Sequence, residues 1–294
     1  MQFLNDPKLK ITEGGNFLLS NHLTNYSSSI SSEKEADKIL KKATKNIYKE
    51  QRKLYAADNH SLLCVFQAMD AAGKDSTVRH VFTGVNPAGF EVTSFKAPSK
   101  EELDHDFLWR CNKAAPGRGM IGIFNRSHYE EVLVCKVHPG YVIGQNIPGI
   151  DSIDDLTPTF WDDRYESIRN WENHLAKNGT VILKFFLNVG KDEQKARFLS
   201  RIDEEKKNWK FNSGDLKERA LWPAYMQAYQ DAIQHNASPQ APWYVIPADN
   251  KPIMRAMVAN IVAETLKNMN LQFPDVGQKE KDEMAVANRV LENE

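Results

Sequence analysis

The chain has 294 residues, of which 41% are hydrophobic and 26% are charged, as in an ordinary globular protein. Its formal net charge of -1 gives no overall basic field, which argues against a nucleic-acid partner. No apolar run reaches the ~20 residues of a membrane helix, no secretory signal is visible, and the three cysteines match no zinc pattern. We therefore expect a reduced, cytoplasmic protein without a membrane partner.

Predicted helices and strands alternate along the chain after a polar, irregular stretch over residues 1–32. Periodicity and capping signals predict helices over about residues 32–55, 77–85, 99–112, 158–178, 191–203, 215–234 and 251–267. Apolar or alternating runs predict strands over residues 62–66, 90–95, 120–124, 181–187 and 243–246. This order is typical of a three-layer α/β/α sandwich with a central five-stranded parallel sheet. Residues after Phe273 are expected to form a weakly ordered tail or a peripheral helix.

The first predicted strand runs into a turn that is suited to binding phosphate. The turn and the start of the next helix consist of Ala71, Ala72, Gly73, Lys74, Asp75, Ser76 and Thr77. Backbone N–H groups of such a turn and the helix N-terminus point at an anion, and a lysine adds a full positive charge. The stretch departs from the G-x-x-x-x-G-K-[ST] pattern at Ala68 and Asp75. An ordinary strand-to-helix turn therefore remains the alternative.

Polar residues also follow the second and third predicted strands. Lys96 comes after the second strand, and Asn125 and Arg126 come after the third. Right-handed crossovers would place the ends of the first and third strands side by side, where open α/β sheets bind ligands. We therefore expect the phosphate loop and the Asn125–Arg126 turn to face each other.

Carboxylates near the loop are candidates for a divalent metal. Asp70 and Asp75 flank the loop, and their hard oxygens suit Mg²⁺. Each candidate has a plainer alternative, because Asp70 could bond to the backbone of its own turn. Arg126 could likewise pair with Glu130, which lies four residues further along the chain.

Several segments together resemble the polyphosphate kinase 2 family. They are FQAMDAAGKDSTVRHVF, VTSFKAPSKEELDHDFLWR, GMIGIFNRSHYEEVLV and RFLSRIDEEKKNWKFNSGDLKERALW, followed by YMQAYQ. The FNRSHYE form resembles the class III branch, which implies phosphorylation of AMP and ADP from inorganic polyphosphate, with guanine nucleotides as further acceptors. The resemblance also implies a single P-loop kinase-like domain over residues 1–294, with an N-terminal helical extension and a lid over about residues 191–219.

The resemblance implies roles for individual residues. The expected catalytic residues are Asp70, Lys74 and Arg126, and the expected ligands of Mg²⁺, with Mn²⁺ as its substitute, are Asp70, Asn125 and Glu130. The expected polyphosphate-binding residues are Lys96, Arg110, Arg118, Arg126, Arg197 and Arg201. Family members form homo-oligomers, so a dimer or a tetramer is expected.

Two other functions compete with this prediction. An ATP-donor nucleoside monophosphate kinase would share the fold, but it normally carries an intact loop close to the N-terminus. Here about 60 residues precede an altered loop. A non-catalytic nucleotide- or polyphosphate-binding module is the second competitor, and the joint presence of Asp70, Lys74 and Arg126 argues against it.

Overall fold

The computed structural model describes residues 3–26, 30 and 32–294. Within these residues the strands are β1 (Lys10–Ile11), β2 (Ser61–Gln67), β3 (Phe90–Ser94), β4 (Ile121–Asn125), β5 (Thr180–Asn188) and β6 (Trp243–Pro247). The α-helices are α1 (Glu33–Ala57), α2 (Lys74–Val81), α3 (Lys100–Leu103), α4 (Trp109–Lys113), α5 (Val134–Val137), α6 (Gly140–Ile143), α7 (Pro158–Lys177), α8 (Lys191–Asp203), α9 (Gly214–Ala220), α10 (Trp222–Asn236), α11 (Lys251–Asn268) and α12 (Gln278–Glu292). Short 3-10 helices cover Leu19–Asn21, Pro87–Gly89, His128–Glu131, Ile153–Asp155 and Glu205–Lys210.

In the part of the chain that is described, the strands form one sheet in the order β1-β6-β5-β2-β4-β3. The strands β2 to β6 are parallel, so the predicted parallel core of the fold is confirmed. β2 lies between β5 and β4, with Phe66 opposite both Phe185 and Asn125. The first and third predicted strands are therefore neighbours, and their carboxyl ends meet at one edge of the sheet.

Helices cover both faces of this sheet, as the buried, apolar strands require. α1, α2 and α11 pack together on one face, and α7 and α10 pack together on the other. β2 is buried over its whole length, and the inner face of α1 buries Ala36, Ala43, Ile47 and Leu54 at helical spacing. The two layers of helices enclose the strands, whose carboxyl ends position the site at one edge of the sheet.

The N-terminal stretch was predicted to be polar and irregular, but the structure contains a short strand and buried apolar residues there. Residues 10–11 form β1, which pairs antiparallel with β6, so the sheet within the described residues has six strands rather than five. Phe3, Leu9 and Phe17 are buried against the core. This stretch contacts the last strand of the sheet, and these contacts, rather than a local pattern, give it its structure.

Two predicted helices are each divided in the structure. The helix expected over residues 99–112 becomes α3 and α4, although the capping box of Ser99 and Glu102 is present as predicted. The helix expected over residues 215–234 becomes α9 and α10. The break between them lies at Leu221, and Pro223 is the second residue of α10. Asp215 lies in the first turn of α9 rather than at its cap.

The C-terminal residues form a peripheral helix, which was one of the two predicted alternatives. α12 is exposed along its length, including the apolar side chains of Met284 and Leu291. Among the described residues, we find no helix with both the length and the apolar character needed to cross a bilayer.

Candidate active site

The phosphate loop predicted over residues 71–77 connects β2 to α2 at the carboxyl edge of the sheet. Ala71 (φ 61°) and Gly73 (φ 110°) adopt left-handed backbone conformations, which glycine tolerates and alanine adopts only under strain. α2 then begins at Lys74, so the first N–H groups of the helix point into the loop. Thr77 Oγ1 donates to Gly73 O at 3.0 Å and closes the first turn of the helix.

Arg197 of α8 supports this loop from behind. Its buried guanidinium group donates to one carboxylate and four backbone carbonyls: Glu193 Oε1 (2.7 Å), Ala71 O (3.1 Å), Ala72 O (2.6 Å), Ala248 O (2.6 Å) and Asp249 O (3.0 Å). Sequence reasoning assigned Arg197 to polyphosphate, as one of two cations with an anion between them. In the structure its donors are already occupied by the protein, so Arg197 holds the loop in shape.

The predicted catalytic residues lie together in front of the loop. Arg126 Nη2 is 3.3 Å from Asp70 Oδ1, and Arg126 Nη1 is 3.7 Å from Glu130 Oε2. Burial lowers the pKa of Lys74, against the opposing effect of Asp70, and Lys74 Nζ donates to Ala68 O at 2.8 Å. The structure thus brings Asp70, Lys74 and Arg126 to one place, as expected, and it also contains the predicted Arg126–Glu130 pair.

The backbone conformation of Arg126 is unusual. It adopts φ 63°, which is uncommon for a residue with a long side chain, and its N–H donates to Phe66 O at 3.1 Å. The carboxylate of Glu130 raises the pKa of the guanidinium, while burial raises the pKa of Glu130. The side chain of Arg126 is 44% exposed, so it stays charged and accessible to a ligand.

Asn125 forms a hydrogen bond with Asp75 of the loop. Its Nδ2 donates to Asp75 Oδ1 at 2.7 Å and to Ser94 Oγ at 3.4 Å, so the amide orients a carboxylate of the loop. Among the described residues, no group of three His, Cys, Asp or Glu side chains forms a metal site. Mg²⁺ in phosphoryl-transfer sites needs one or two carboxylates plus substrate phosphates. Asp70 and Asp75, which both border the loop, fit that requirement.

A cleft of about 750 Å³ opens in front of the loop. We call it the cationic cleft because the basic residues that line it are Lys74, Lys96, Arg126, Arg197, Arg201, Lys207, Lys210 and Lys251. A second cavity of about 610 Å³, the aromatic pocket, is lined by Phe95, Tyr141, Tyr225 and Tyr229 together with Glu130, His138, Asp215 and Glu218. Asp70, Lys96 and Arg126 line both cavities, so they form the wall between them.

A family model described as polyphosphate kinase 2 matches residues 30–274. The chain belongs to the polyphosphate kinase 2 family. An ADP-polyphosphate phosphotransferase of Rhodopseudomonas palustris is 43% identical over 277 residues, which cover 94% of this chain and 95% of that protein. An AMP/ADP-polyphosphate phosphotransferase of Meiothermus ruber is 42% identical, over 91% of this chain and 95% of its own. The crystal structure of a polyphosphate kinase 2 from Arthrobacter aurescens superimposes with a TM-score of 0.85 at 34% identity, covering 98% of this chain and 99% of that one.

The remaining cations expected for this polyphosphate kinase 2 family member have different surroundings. Lys96 is exposed at the wall between the two cavities. Arg110 is buried, donates to Lys96 O at 2.8 Å and lies over the ring of Phe95. It therefore holds the backbone at Lys96 in place. Arg201 lines the cationic cleft and pairs with Asp215 at 3.0 Å.

Arg118 is the exception among the predicted site residues. It lies exposed in the turn that precedes β4, next to the amino ends of the strands. β4 begins at Ile121, directly after this turn, and ends at Asn125, so the turn and Asn125 lie roughly 15 Å apart along the strand. The structure therefore places Arg118 at the opposite edge of the sheet from the phosphate loop.

Sequence reasoning missed residues that only the fold brings to the site. Lys251 is the first residue of α11, after Asn250, whose side chain caps the helix, and it lines the cationic cleft. In the aromatic pocket, Glu218 of the predicted lid accepts from Tyr225 Oη and lies 2.8 Å from His138 Nε2. The cap signal Asn250-Lys251-Pro252 after a buried strand could have indicated the first of these.

A buried ionic network anchors the segment that follows Arg126. Lys184, in the middle of β5, donates to Glu172 Oε2 (2.6 Å), Tyr129 Oη (2.9 Å) and Asn236 O (2.7 Å). Glu172 Oε1 also lies 3.3 Å from His128 Nε2, and these side chains are all buried. Because His128 and Tyr129 lie between Arg126 and Glu130, the network fixes the segment that carries both site residues.

Proposed function

We propose that the protein is a Mg²⁺-dependent, reversible polyphosphate:AMP/ADP phosphotransferase that also accepts guanine nucleotides. The observation that carries the proposal is the shared wall of Asp70, Lys96 and Arg126 between a cationic cleft and an aromatic pocket. A phosphoryl group can pass between two ligands only where their sites meet. The similarity to proteins named AMP/ADP- and ADP-polyphosphate phosphotransferases supports the same substrates.

The chemistry of the two cavities assigns one substrate to each. Polyphosphate carries one negative charge per unit, so it suits the cationic cleft. The aromatic pocket offers the rings of Tyr141, Tyr225 and Tyr229, which can stack on a base, while Glu130 and Glu218 repel a long polyanion. We therefore assign the nucleotide to this pocket, with its phosphates directed at Arg126.

The transfer needs positioning and charge neutralisation rather than acid–base chemistry. An oxygen of the nucleotide's terminal phosphate attacks the terminal phosphorus of polyphosphate. One P–O bond forms, one P–O bond breaks, and polyphosphate leaves one unit shorter. Lys74 and Arg126 neutralise the charge on the transferred group, and the loop N–H groups hold the neighbouring phosphate.

The metal, when bound, neutralises phosphate charge and aligns the reacting oxygens. Asp70 and Asp75 are the residues that would hold it, together with the substrate phosphates. Asn125 orients Asp75, and Asp70 and Asp75 both line the cationic cleft, where the phosphates would lie. Glu130 pairs with Arg126, so we assign it to the nucleotide side of the wall rather than to the metal.

A donor test checks the proposal. The protein is incubated with Mg²⁺ and AMP plus either polyphosphate or ATP, and the products are separated by ion-exchange chromatography. We expect ADP and then ATP from polyphosphate. Phosphorylation of AMP by ATP alone, with no product from polyphosphate, would instead identify an ATP-donor nucleoside monophosphate kinase. GMP and GDP in place of AMP test the acceptance of guanine.

We also propose that the protein works in the cytoplasm as a homo-oligomer, a dimer or a tetramer. Apolar side chains on the exposed helix α12, including Met284 and Leu291, support self-association. Light scattering coupled to gel filtration tests this proposal, and a monomer at micromolar concentration would refute it.

A further inference from the structure

Basic side chains continue from the cationic cleft onto the neighbouring surface of α2 and α11, which pack against each other; we call this surface the basic groove. Arg255 of α11 donates from Nη2 to Ser76 Oγ at 3.0 Å, directly beside the phosphate loop. Lys251 lies four residues before Arg255 and lines the cleft, and Arg79 lies three residues after Ser76 on the same face of α2. Basic side chains therefore extend about 8 Å along α2 from Lys74 to Arg79.

These cations form no ion pair among the described residues, although Glu193 lies near Lys251 in the cationic cleft. Across residues 3–26, 30 and 32–294, no carboxylate lies within ion-pair distance of Arg79, Lys251 or Arg255. By contrast, Arg201 and Lys207 on the other side of the cleft are paired with Asp215 and Glu204. Unpaired cations held close together repel one another unless an anion lies between them.

The surroundings of Arg255 support the same conclusion. Burial, Arg79 and Arg197 together lower the pKa of Arg255, while burial and Arg197 lower the pKa of Lys251 against the opposing effect of Glu193. Arg255 Nε is buried without a hydrogen-bond partner among the described residues. The guanidinium of Arg255 offers five N–H donors, and among the described residues its hydrogen-bond acceptor is the hydroxyl group of Ser76.

We propose that Arg79, Lys251 and Arg255 form a distal subsite for polyphosphate, which binds phosphate units beyond those held by the loop. The inference rests on the proposed function. A short donor fills the loop and ends there, whereas a long donor continues between α2 and α11 and gains these contacts. Each cation that meets a phosphate releases counterions, so the gain is an affinity gain and grows weaker with salt. The subsite therefore makes long chains better donors than short ones.

A structural role for Arg255 is the competing explanation. Through Ser76 it could simply hold the start of α2 in place. In that case its removal would disturb the loop itself and would lower activity with every donor, whatever its length. The dependence on donor length separates the two explanations.

The experiment compares tripolyphosphate with long-chain polyphosphate as donors to ADP, using the full-length protein with Mg²⁺. The variants are Arg79→Gln, Arg255→Gln and the double variant, and Arg52→Gln, at an exposed position of α1, is the matched control. We expect the double variant to lose about tenfold in kcat/KM with the long donor and less than about threefold with tripolyphosphate. We expect its KM for the long donor to depend less on salt, and the control to match the wild type.

Four results would overturn the inference. The first is an equal loss with both donors, the second is no loss with either donor, and the third is a wild-type protein that uses both lengths equally well. Because Arg79 is exposed, Arg79→Gln does not endanger folding and keeps the test valid if Arg255→Gln lowers the melting temperature. Arg255→Lys should recover at least half of the kcat/KM that is lost with the long donor. The fourth result that would overturn the inference is the failure of this rescue in a folded protein. A wild type that uses no polyphosphate at all would refute the proposed function instead.

Discussion

Replacing Glu172 by glutamine removes one charge from the buried network that anchors the segment after Arg126. The carboxylate accepts from Lys184 Nζ at 2.6 Å and from Tyr129 Oη at 2.8 Å. Glu172→Gln keeps the size of the side chain but leaves the Lys184 ammonium group without a counter-charge. We expect a large loss of stability together with a loss of activity, since the same network fixes the segment that carries Arg126 and Glu130.

The magnitude follows from the burial of both partners. Breaking a buried ion pair by removing one partner costs ~3–5 kcal/mol, because it leaves an uncompensated charge. Lys184 keeps two neutral oxygen partners, Tyr129 Oη and Asn236 O, so we expect the lower end, ~3 kcal/mol. For a chain of 294 residues such a loss lowers the melting temperature by roughly 5 °C.

Urea unfolding followed by circular dichroism measures the change in the free energy of unfolding. The matched control is Glu283→Gln, which breaks the exposed pair of Glu283 with Lys279 and should cost less than about 0.5 kcal/mol. The double variant Glu172→Leu/Lys184→Met removes both charges and should recover only part of the stability, because it also takes partners away from the buried groups Tyr129 Oη, His128 Nε2 and Asn236 O. A loss below about 1 kcal/mol in Glu172→Gln would refute the reasoning.

The effect of Glu172→Gln should depend on pH. Although burial opposes its ionisation, Lys184 and His128 lower the pKa of Glu172 below its ordinary value. A carboxylate with a lowered pKa in the folded state stabilises the protein above its unfolded pKa of about 4.3 and loses this contribution as the pH falls through the folded value. The difference between wild type and variant should therefore be constant near neutral pH and shrink below about pH 4.

Three further substitutions test the site. Lys74→Ala should lower kcat with polyphosphate by about 100-fold or more while the melting temperature stays near that of the wild type, because the recorded hydrogen bond of this ammonium goes to a single carbonyl, Ala68 O. Near-normal turnover would show that the site is misplaced. Asp70→Asn should lower kcat/KM by about 100-fold and raise the Mg²⁺ concentration needed for half-maximal activity, which a Mg²⁺ titration measures; an unchanged Mg²⁺ requirement would count against Asp70 as a ligand. Arg118→Gln should leave kcat/KM with long-chain polyphosphate unchanged, and a loss would mean that the donor reaches the amino edge of the sheet.

Local patterns in the sequence were enough to predict most of the fold. The five parallel strands, the helix over residues 191–203 and the capping box at Ser99 each depend on signals within a few residues. β1 could not be predicted this way, since its two residues are extended because they pair with β6, more than 200 residues away. The break in the predicted 215–234 helix, by contrast, has a local signal, because Trp222-Pro223 predicts a kink there and Pro223 lies in the first turn of α10.

The part of the site that depends only on the order of the strands in the sheet could be predicted from the sequence. The meeting of the phosphate loop with Arg126 follows from the adjacency of β2 and β4, which crossover rules imply. The partners of individual side chains do not follow from such rules. Arg197 bonds to carbonyls of two loops that are distant in sequence, and Arg118 belongs to a turn before a strand rather than after it.

The bonds of Arg197 have a consequence for which parts of the protein can move. They tie α8 to the loops after β2 and β6, so the first helix of the predicted lid is joined to the rigid sheet. We predict that any movement of the predicted lid pivots beyond Asp203, within the 3-10 turn Glu205–Lys210 and α9, and breaks the hydrogen bonds from Arg219 to Lys191 O and Gln194 Oε1. A spin label or fluorophore on α9 would report substrate-dependent motion, while one on α8 would remain at a fixed distance from the core.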